Sequence, residues 1–189
     1  MTLSVETHPE RHADADAVLR AIQQRRTVDL PQIGPSDVDQ AIIQAVLRAA
    51  TWAPTHGKTE PWRFTVFTGE GRAKLGEMFA AAYQASNAAD RDSETALAAQ
   101  RERTQKAPVW ISLELHIPAT SKMPLWEEQA ALACAAQNMM LVATAFGLAS
   151  KWVSGPVFVS PVTAEALGAP QLLGFIYLGH SAAPAKEGK

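Results

Sequence analysis

Two short cationic segments hold the residue types best suited to chemistry. Arg25, Arg26 and Thr27 stand together at the end of a helical stretch. The helix dipole presents carbonyl oxygens there and repels anions, so side chains would have to supply any phosphate site. Arginine can fork two N–H groups onto phosphate oxygens, and a threonine hydroxyl adds a further donor. The same pair also reads as a helix cap in which two guanidinium groups favour the dipole. In the second segment, His56-Gly57-Lys58, glycine lets backbone approach a ligand closely while its neighbours offer a cation and N–H donors. A histidine and a lysine in a loop also read as solvated surface.

The other candidates are aromatic or negative. Trp52, Trp62 and Trp152 could wall a flat ligand or fill a core, and Trp62 reads mainly as core. Ser154-Gly155-Pro156 is a turn able to bring N–H groups to a ring edge, and it is equally a loop terminator. Neither a Gly-x-Gly-x-x-Gly nor a Walker-type loop is present. His56, His116 and His180 are too scattered for a metal site. The single cysteine, Cys134, lies in an alanine-rich stretch and reads as a small core residue.

The elements that must position these groups follow from periodicity. Val18, Leu19 and Ile22 predict an amphipathic helix from Ala15 to about Arg26. Ser36 as N-cap predicts a second helix from Asp37 to Trp52, stopped by Pro54. A strand is expected over 64–68, closed by the Gly69-Glu70-Gly71 turn, then helices over 72–86 and 90–106, the second with a solvated charged face. Residues 108–115 read as a buried strand, and Pro124 opens a long helix to about Gly147. Val157–Val159 and Leu172–Leu178 are weaker strand candidates. Helices outnumber strands without clean βαβ alternation, which predicts an α+β sandwich.

With 189 residues and 47% hydrophobic composition the chain can bury one substantial core. A net charge of −2 offers no cationic field for nucleic acid, so none is expected as a partner. Residues 1–16 lack the apolar core of a secretory signal and read as a frayed arm. The uncharged stretch 129–150 is long enough for a membrane span, yet its Gln129, Gln137 and Asn138 amides would need partners in lipid, so it reads as a buried helix of a protein outside the membrane. One cysteine precludes an intrachain disulfide and fits a reducing, cytoplasmic setting.

The ordered set Arg25-Arg26-Thr27, Ala53-Pro54-Thr55-His56, Pro61-Trp62-Arg63-Phe64, Trp152-Val153-Ser154-Gly155 and Phe175-Ile176-Tyr177-Leu178-Gly179 resembles the nitroreductase family, in its compact FMN-dependent branch, over about residues 17 to 180. The resemblance implies a nitroreductase-like α+β homodimer: a mainly antiparallel central sheet flanked by helices, a long helix at the dimer interface, and FMN across the subunit boundary. It implies a flexible arm over 1–14, an FMN-binding domain over 15–182 and a tail over 183–189. Carried over, Arg25 and Thr27 would hold the FMN phosphate and ribityl region with Arg26 beside them. His56 and the position of Trp52 would reach the flavin from the other subunit, with Lys58 suited to the negative pyrimidine edge of the reduced ring. Trp152, Val153 and Ser154 would approach the ring system, and Lys186 would help with phosphate.

The implied activity is hydride transfer from NAD(P)H through flavin to a small-molecule acceptor such as a nitroaromatic or quinone, with no side chain as acid, base or nucleophile. Three departures lower the positive charge: Asp29 where a basic residue is common, Glu60 where glutamine is usual, and Trp52 in place of an arginine. They imply weakened FMN binding, and they support an alternative in which the chain is a catalytically weak or inactive flavin-binding or interaction module.

Overall fold

The computed structural model of the protein describes residues 9–181; Lys186 lies outside them. The first helix, α1, runs Pro9–Gln24, so it starts six residues earlier than Ala15 and releases the chain just before Arg25. The second, α2, is Gln40–Ala50 rather than 37–52. Asp39, not Ser36, is its cap: the Asp39 carboxylate accepts from the Ala41 N–H at 2.7 Å, while Val38 just before it is buried in the core.

The expected strand over 64–68 is split into β1 (Trp62–Arg63) and β2 (Val66–Phe67), both antiparallel to β3 (Val109–Leu115). The break lies at Thr65, whose N–H donates to the Ser112 hydroxyl at 2.7 Å in place of a carbonyl. Two helices follow β2, α3 (Gly71–Gln84) and α4 (Glu94–Gln105), close to expectation. They cross tightly at Gly76, where a Cβ would stand 2.9 Å from the Arg101 carbonyl oxygen.

The long helix α5 spans Leu125–Ala145 and ends at Gly147, whose φ of 75° reverses the chain. The last residues of the uncharged stretch then form β4 (Leu148–Val153), a strand that the alanine-rich pattern hides. Val157–Val159 is a turn, not a strand: the Phe158 N–H bonds the Gly155 carbonyl at 2.9 Å, and the Phe158 ring meets Phe79 edge-on at 5.0 Å. A short helix, α6 (Pro161–Leu167), capped by Ser160, precedes β5 (Gln171–His180).

The sheet order is β1-β3-β5-β4, with β2 also on β3, and every pairing among these strands is antiparallel. β3 is buried along its whole length, because helices cover both faces. One face carries Val109, Ile111 and Leu113 against α2 and α5; the other carries Trp110, Phe175 and Tyr177 with Phe79 of α3. The fold is the expected α+β sandwich. Trp62 is buried as expected, but Cys134 is exposed. The core-facing positions of α5 are Ala131, Leu132, Ala135, Ala136, Met139 and Met140, so Cys134 falls on the opposite stripe with Ala130 and Gln137. Among the described residues no helix is long and apolar enough to cross a membrane.

Candidate functional site

The candidate residues gather in two clusters. In the first, the chain leaving α1 lies along β4. Thr27 forms a parallel bridge with Ser150, and the Val28 N–H donates to the Ser150 carbonyl at 3.3 Å. Tyr177, on β5 opposite Lys151, reaches over and donates its hydroxyl to the Val28 carbonyl at 3.0 Å. Burial and the nearby Asp29 charge push the Tyr177 phenol well above its ordinary range, so it stays a donor. Two segments more than a hundred residues apart in sequence, 25–29 and 150–154, thus share one edge of the sheet.

Within this cluster the two arginines differ. Arg26 bonds the Gln23 carbonyl and, at 2.8 Å, the Arg25 carbonyl, which is the helix-capping role open to it from sequence. Arg25 is half-buried and its guanidinium makes no hydrogen bond or ion pair among the described residues. The Thr27 residue is exposed. Next to it the Ser150 hydroxyl is buried and, among the described residues, without a hydrogen-bond partner. Asp29 is held by the Lys151 ammonium at 2.6 Å, so the repulsion anticipated from its charge is met by a cation that the sequence did not single out.

Trp152 is fixed by a bulge. The register of β3 on β5 slips between Leu113 and Glu114, leaving Leu173 as the extra residue, and its carbonyl accepts from the Trp152 indole N–H at 2.8 Å. Gly174 follows at φ 120°, and an added methyl there would overlap the Val153 carbonyl oxygen. Val153 is half-buried against the second core and Ser154 is exposed at the strand end.

The second cluster surrounds residues 55–60, a single 3-10 turn over His56–Lys58 with positive φ at Gly57 (65°), Lys58 (54°) and Glu60 (43°). Two non-glycine residues in that region need outside support. It comes from the first turn of α5. Glu128, 2% exposed, accepts from the Thr59 hydroxyl at 2.6 Å and from the Ser121 hydroxyl at 2.7 Å. Thr59 in turn meets Thr55 at 2.9 Å, and Thr55 accepts from the Glu60 N–H at 3.3 Å. Glu127 pairs with His56 Nδ1 at 2.6 Å. Lys58 is exposed, and Trp52, 85% exposed, stands clear of the core just before the loop.

Beside the loop is a concavity of about 320 Å³ whose walls include Thr55, His56, Trp126, Glu127 and Cys134. Sequence reasoning missed Glu127, Glu128, Lys151 and Ser150; the place of the two glutamates in the first turn of α5 is a signal that could have marked them, and the other two carried none. The two clusters are joined by no hydrogen bond or ion pair among the described residues. One chain therefore presents two separate candidate clusters: cationic and hydroxyl groups at the α1–β4 edge, and a strained, histidine-bearing loop clamped by α5.

Comparison with known proteins agrees with this architecture. The "Nitroreductase family" model matches residues 22–180. The chain is 32% identical over 167 residues to the protein named "Putative NAD(P)H nitroreductase YdjA" of Escherichia coli (strain K12), covering 87% of each. Among solved structures, a nitroreductase-like family protein from Bacillus cereus has the same fold, with a TM-score of 0.74 at 24% identity, covering 100% of this chain and 92% of that one. A nitroreductase with bound FMN from Bacteroides fragilis matches with a TM-score of 0.68 at 27% identity, covering 91% of this chain and 93% of that one. The chain belongs to the nitroreductase family, a family of oxidoreductases.

Proposed function

We propose that two copies of this chain bind FMN across their boundary and use it to pass hydride from NAD(P)H to a small electrophilic acceptor of the nitroaromatic or quinone kind. The observation that carries the reading is the docking of Thr27 on Ser150, which sets the Arg25–Thr27 segment beside Trp152–Ser154. The donor set fits a phosphate ester: a half-buried guanidinium and a neighbouring Ser150 hydroxyl, both without partners among the described residues, and an exposed threonine. FMN, when bound, supplies the hydride-accepting and hydride-donating centre. Everything else is the work of the protein.

Arg25 and Thr27 anchor the phosphate end, with Arg26 holding the backbone that presents them. Trp152, locked by the Leu173 carbonyl, borders the ring together with Val153 and Ser154. The 55–60 loop brings His56 and Lys58 from the second copy, and Trp52 with it. The loop is preformed, since Glu127 and Glu128 fix it without help from a ligand. Lys186 is a further candidate for the phosphate.

The second copy is supported by what the single chain leaves uncovered. Val18, Leu19 and Ile22 of α1 are 58%, 50% and 48% exposed, and Leu125 and Trp126 of α5 are 51% and 66% exposed. With the small-residue stripe through Ala130 and Cys134 they form apolar surface of the kind monomers avoid. A free thiol at Cys134 suits a reducing cytoplasm. The inactive-module alternative leaned on Asp29 and Glu60, and the Lys151 contact weakens the first of these.

The test is titration of apo protein with FMN, followed by anaerobic NADH or NADPH, in wild type and Arg25→Ala. Loss of one charged hydrogen-bonding partner at about 1.5–3 kcal/mol predicts roughly 10- to 150-fold weaker FMN binding in the variant. Equal affinity in the two proteins removes the phosphate assignment. Bound FMN that neither nicotinamide reduces would favour the inactive module.

A further inference from the structure

We propose that His56 delivers the proton that the acceptor needs and that Glu127 positions its imidazole for the task. The inference rests on the FMN reading above and gives chemistry to a side chain where the family resemblance implies none. Glu127 Oε2 lies 2.6 Å from His56 Nδ1. An ionised carboxylate only accepts, so Nδ1 is the donor, and the ring proton open to exchange with a ligand is the one at Nε2. Nε2 itself makes no hydrogen bond or ion pair among the described residues. The backbone that carries the ring is fixed as well, since Thr59, three residues on, donates to the buried Glu128 at 2.6 Å. Two consecutive glutamates of α5 thus divide the work: Glu128 holds the loop and Glu127 aims the imidazole.

The pair does little for stability. The His56 side chain is 66% and the Glu127 side chain 24% exposed, and an ion pair this open to water contributes about 1 kcal/mol or less. A carboxylate on one imidazole nitrogen settles the tautomer and steadies the ring, which is what a proton donor requires. Lys58, the other cation of the loop, has no partner among the described residues to aim it. His56 and Glu127 also share the wall of the concavity of about 320 Å³ with Pro54, Trp126 and Cys134. That volume lies at the small end of the range for ligand pockets and suits a single flat ring, to which Trp126 offers an aromatic face.

A quinone that is reduced by two electrons needs a proton besides the hydride. One carbonyl oxygen receives the hydride that NAD(P)H supplies through the cofactor. The other, left as an oxyanion, takes the proton as the Nε2–H bond breaks and an O–H bond forms. Water then returns a proton to Nε2, so the net change is NAD(P)H, a proton and quinone to NAD(P)+ and hydroquinone.

Stopped-flow reoxidation of the NADH- or NADPH-reduced holoenzyme separates this role from a structural one. Tetramethyl-1,4-benzoquinone, which has no free ring carbon for the Cys134 thiol to attack, takes up protons as it is reduced; ferricyanide takes electrons alone. The ratio of quinone to ferricyanide rate constants is expected to fall about 100-fold in His56→Gln, the lower end of the range for a positioned acid, and to fall by less in Glu127→Ala. Nitrogen-15 spectra of FMN-free protein give a second readout: the neutral His56 ring is expected to carry its proton on Nδ1 in wild type and to lose that preference in Glu127→Ala. A ratio in His56→Gln within about threefold of wild type, or a wild-type ring protonated at Nε2 alone, overturns the proposal while leaving the flavin reading intact. A wild type that ferricyanide reoxidises and the quinone does not has the same consequence. Should His56→Gln fail to fold or to hold FMN, an unchanged ratio in Glu127→Ala overturns the proposal in its place. A wild type that binds no FMN, or whose FMN neither nicotinamide reduces, overturns the underlying reading and this proposal with it.

Discussion

The strained 55–60 loop gives the most direct test of how the site is held. Lys58 and Glu60 have φ of 54° and 43°, a conformation that costs non-glycine residues about 1–2 kcal/mol each. Glu128 offsets this by accepting the Thr59 hydroxyl on a buried carboxylate, a bond contributing about 1.5–3 kcal/mol. Replacing Glu128 by alanine removes it. The free energy of opening the loop is then expected to fall by about 1.5–3 kcal/mol, which multiplies the open population by roughly 10 to 150. Trypsin cuts after lysine, and Lys58 sits at the centre of the strained turn, so cleavage there reports the open population when closing outruns cutting. The assay is the rate of appearance of the 1–58 fragment by mass spectrometry, under native conditions. Glu127→Gln is the control: it frees only the exposed His56, a contact worth up to about 1 kcal/mol, so cleavage should rise by no more than about fivefold. A folded Glu128→Ala protein nicked at Lys58 less than about fivefold faster than wild type would refute the clamp.

Two further outcomes follow from the sheet. Gly174→Ala puts a methyl onto the Val153 carbonyl and 3.0 Å from the Trp152 indole nitrogen, at a φ that disfavours any side chain; a loss of at least about 3 kcal/mol in urea unfolding is expected, and a loss under about 1 kcal/mol would contradict the described bulge. Tyr177 ionises in the unfolded chain near its ordinary value of 10.0 but only at higher pH when folded, so its contribution to stability is complete below pH 10 and is lost as pH rises above it. Melting temperature between pH 9 and 11.5 should therefore fall more steeply in wild type than in Tyr177→Phe, which itself costs about 1–3 kcal/mol at neutral pH by leaving the Val28 carbonyl unpaired; parallel curves would refute the assignment.

How far the sequence foretold this structure depended on the kind of signal. Strong local patterns translated well: the apolar run of β3 and the helix opened by Pro124 appear within a few residues of expectation, and the weaker candidate over 172–178 is the long strand β5. Boundaries set by competing caps did not, since Ser36 and Asp39 are both good acceptors and only the burial of Val38 decides between them. β4 was hidden because alanine and leucine continue past Gly147 with helix-like composition; only the glycine marks the change. The α6 signal was present and unread: Ser160 followed by Pro161, with Gly168 at the end. At the site, the residue types were legible and their supports were not. Nothing local announces that Glu127 and Glu128 reach back about seventy positions, or that Lys151 answers Asp29 across more than a hundred. Such pairings exist only once the chain is folded.

The bulge at Leu173 also acts as an alignment key for the whole sheet. Sliding β5 along β3 by two residues would keep the inward and outward faces matched, yet it would ask Leu172 or Ile176 to adopt the φ of 120° that Gly174 takes now. Neither can do so cheaply, so one alignment survives. The strand bearing Lys151 to Val153 hangs from β5 and inherits that choice, which means the placement of half the candidate site is written in a backbone irregularity some twenty residues downstream of it.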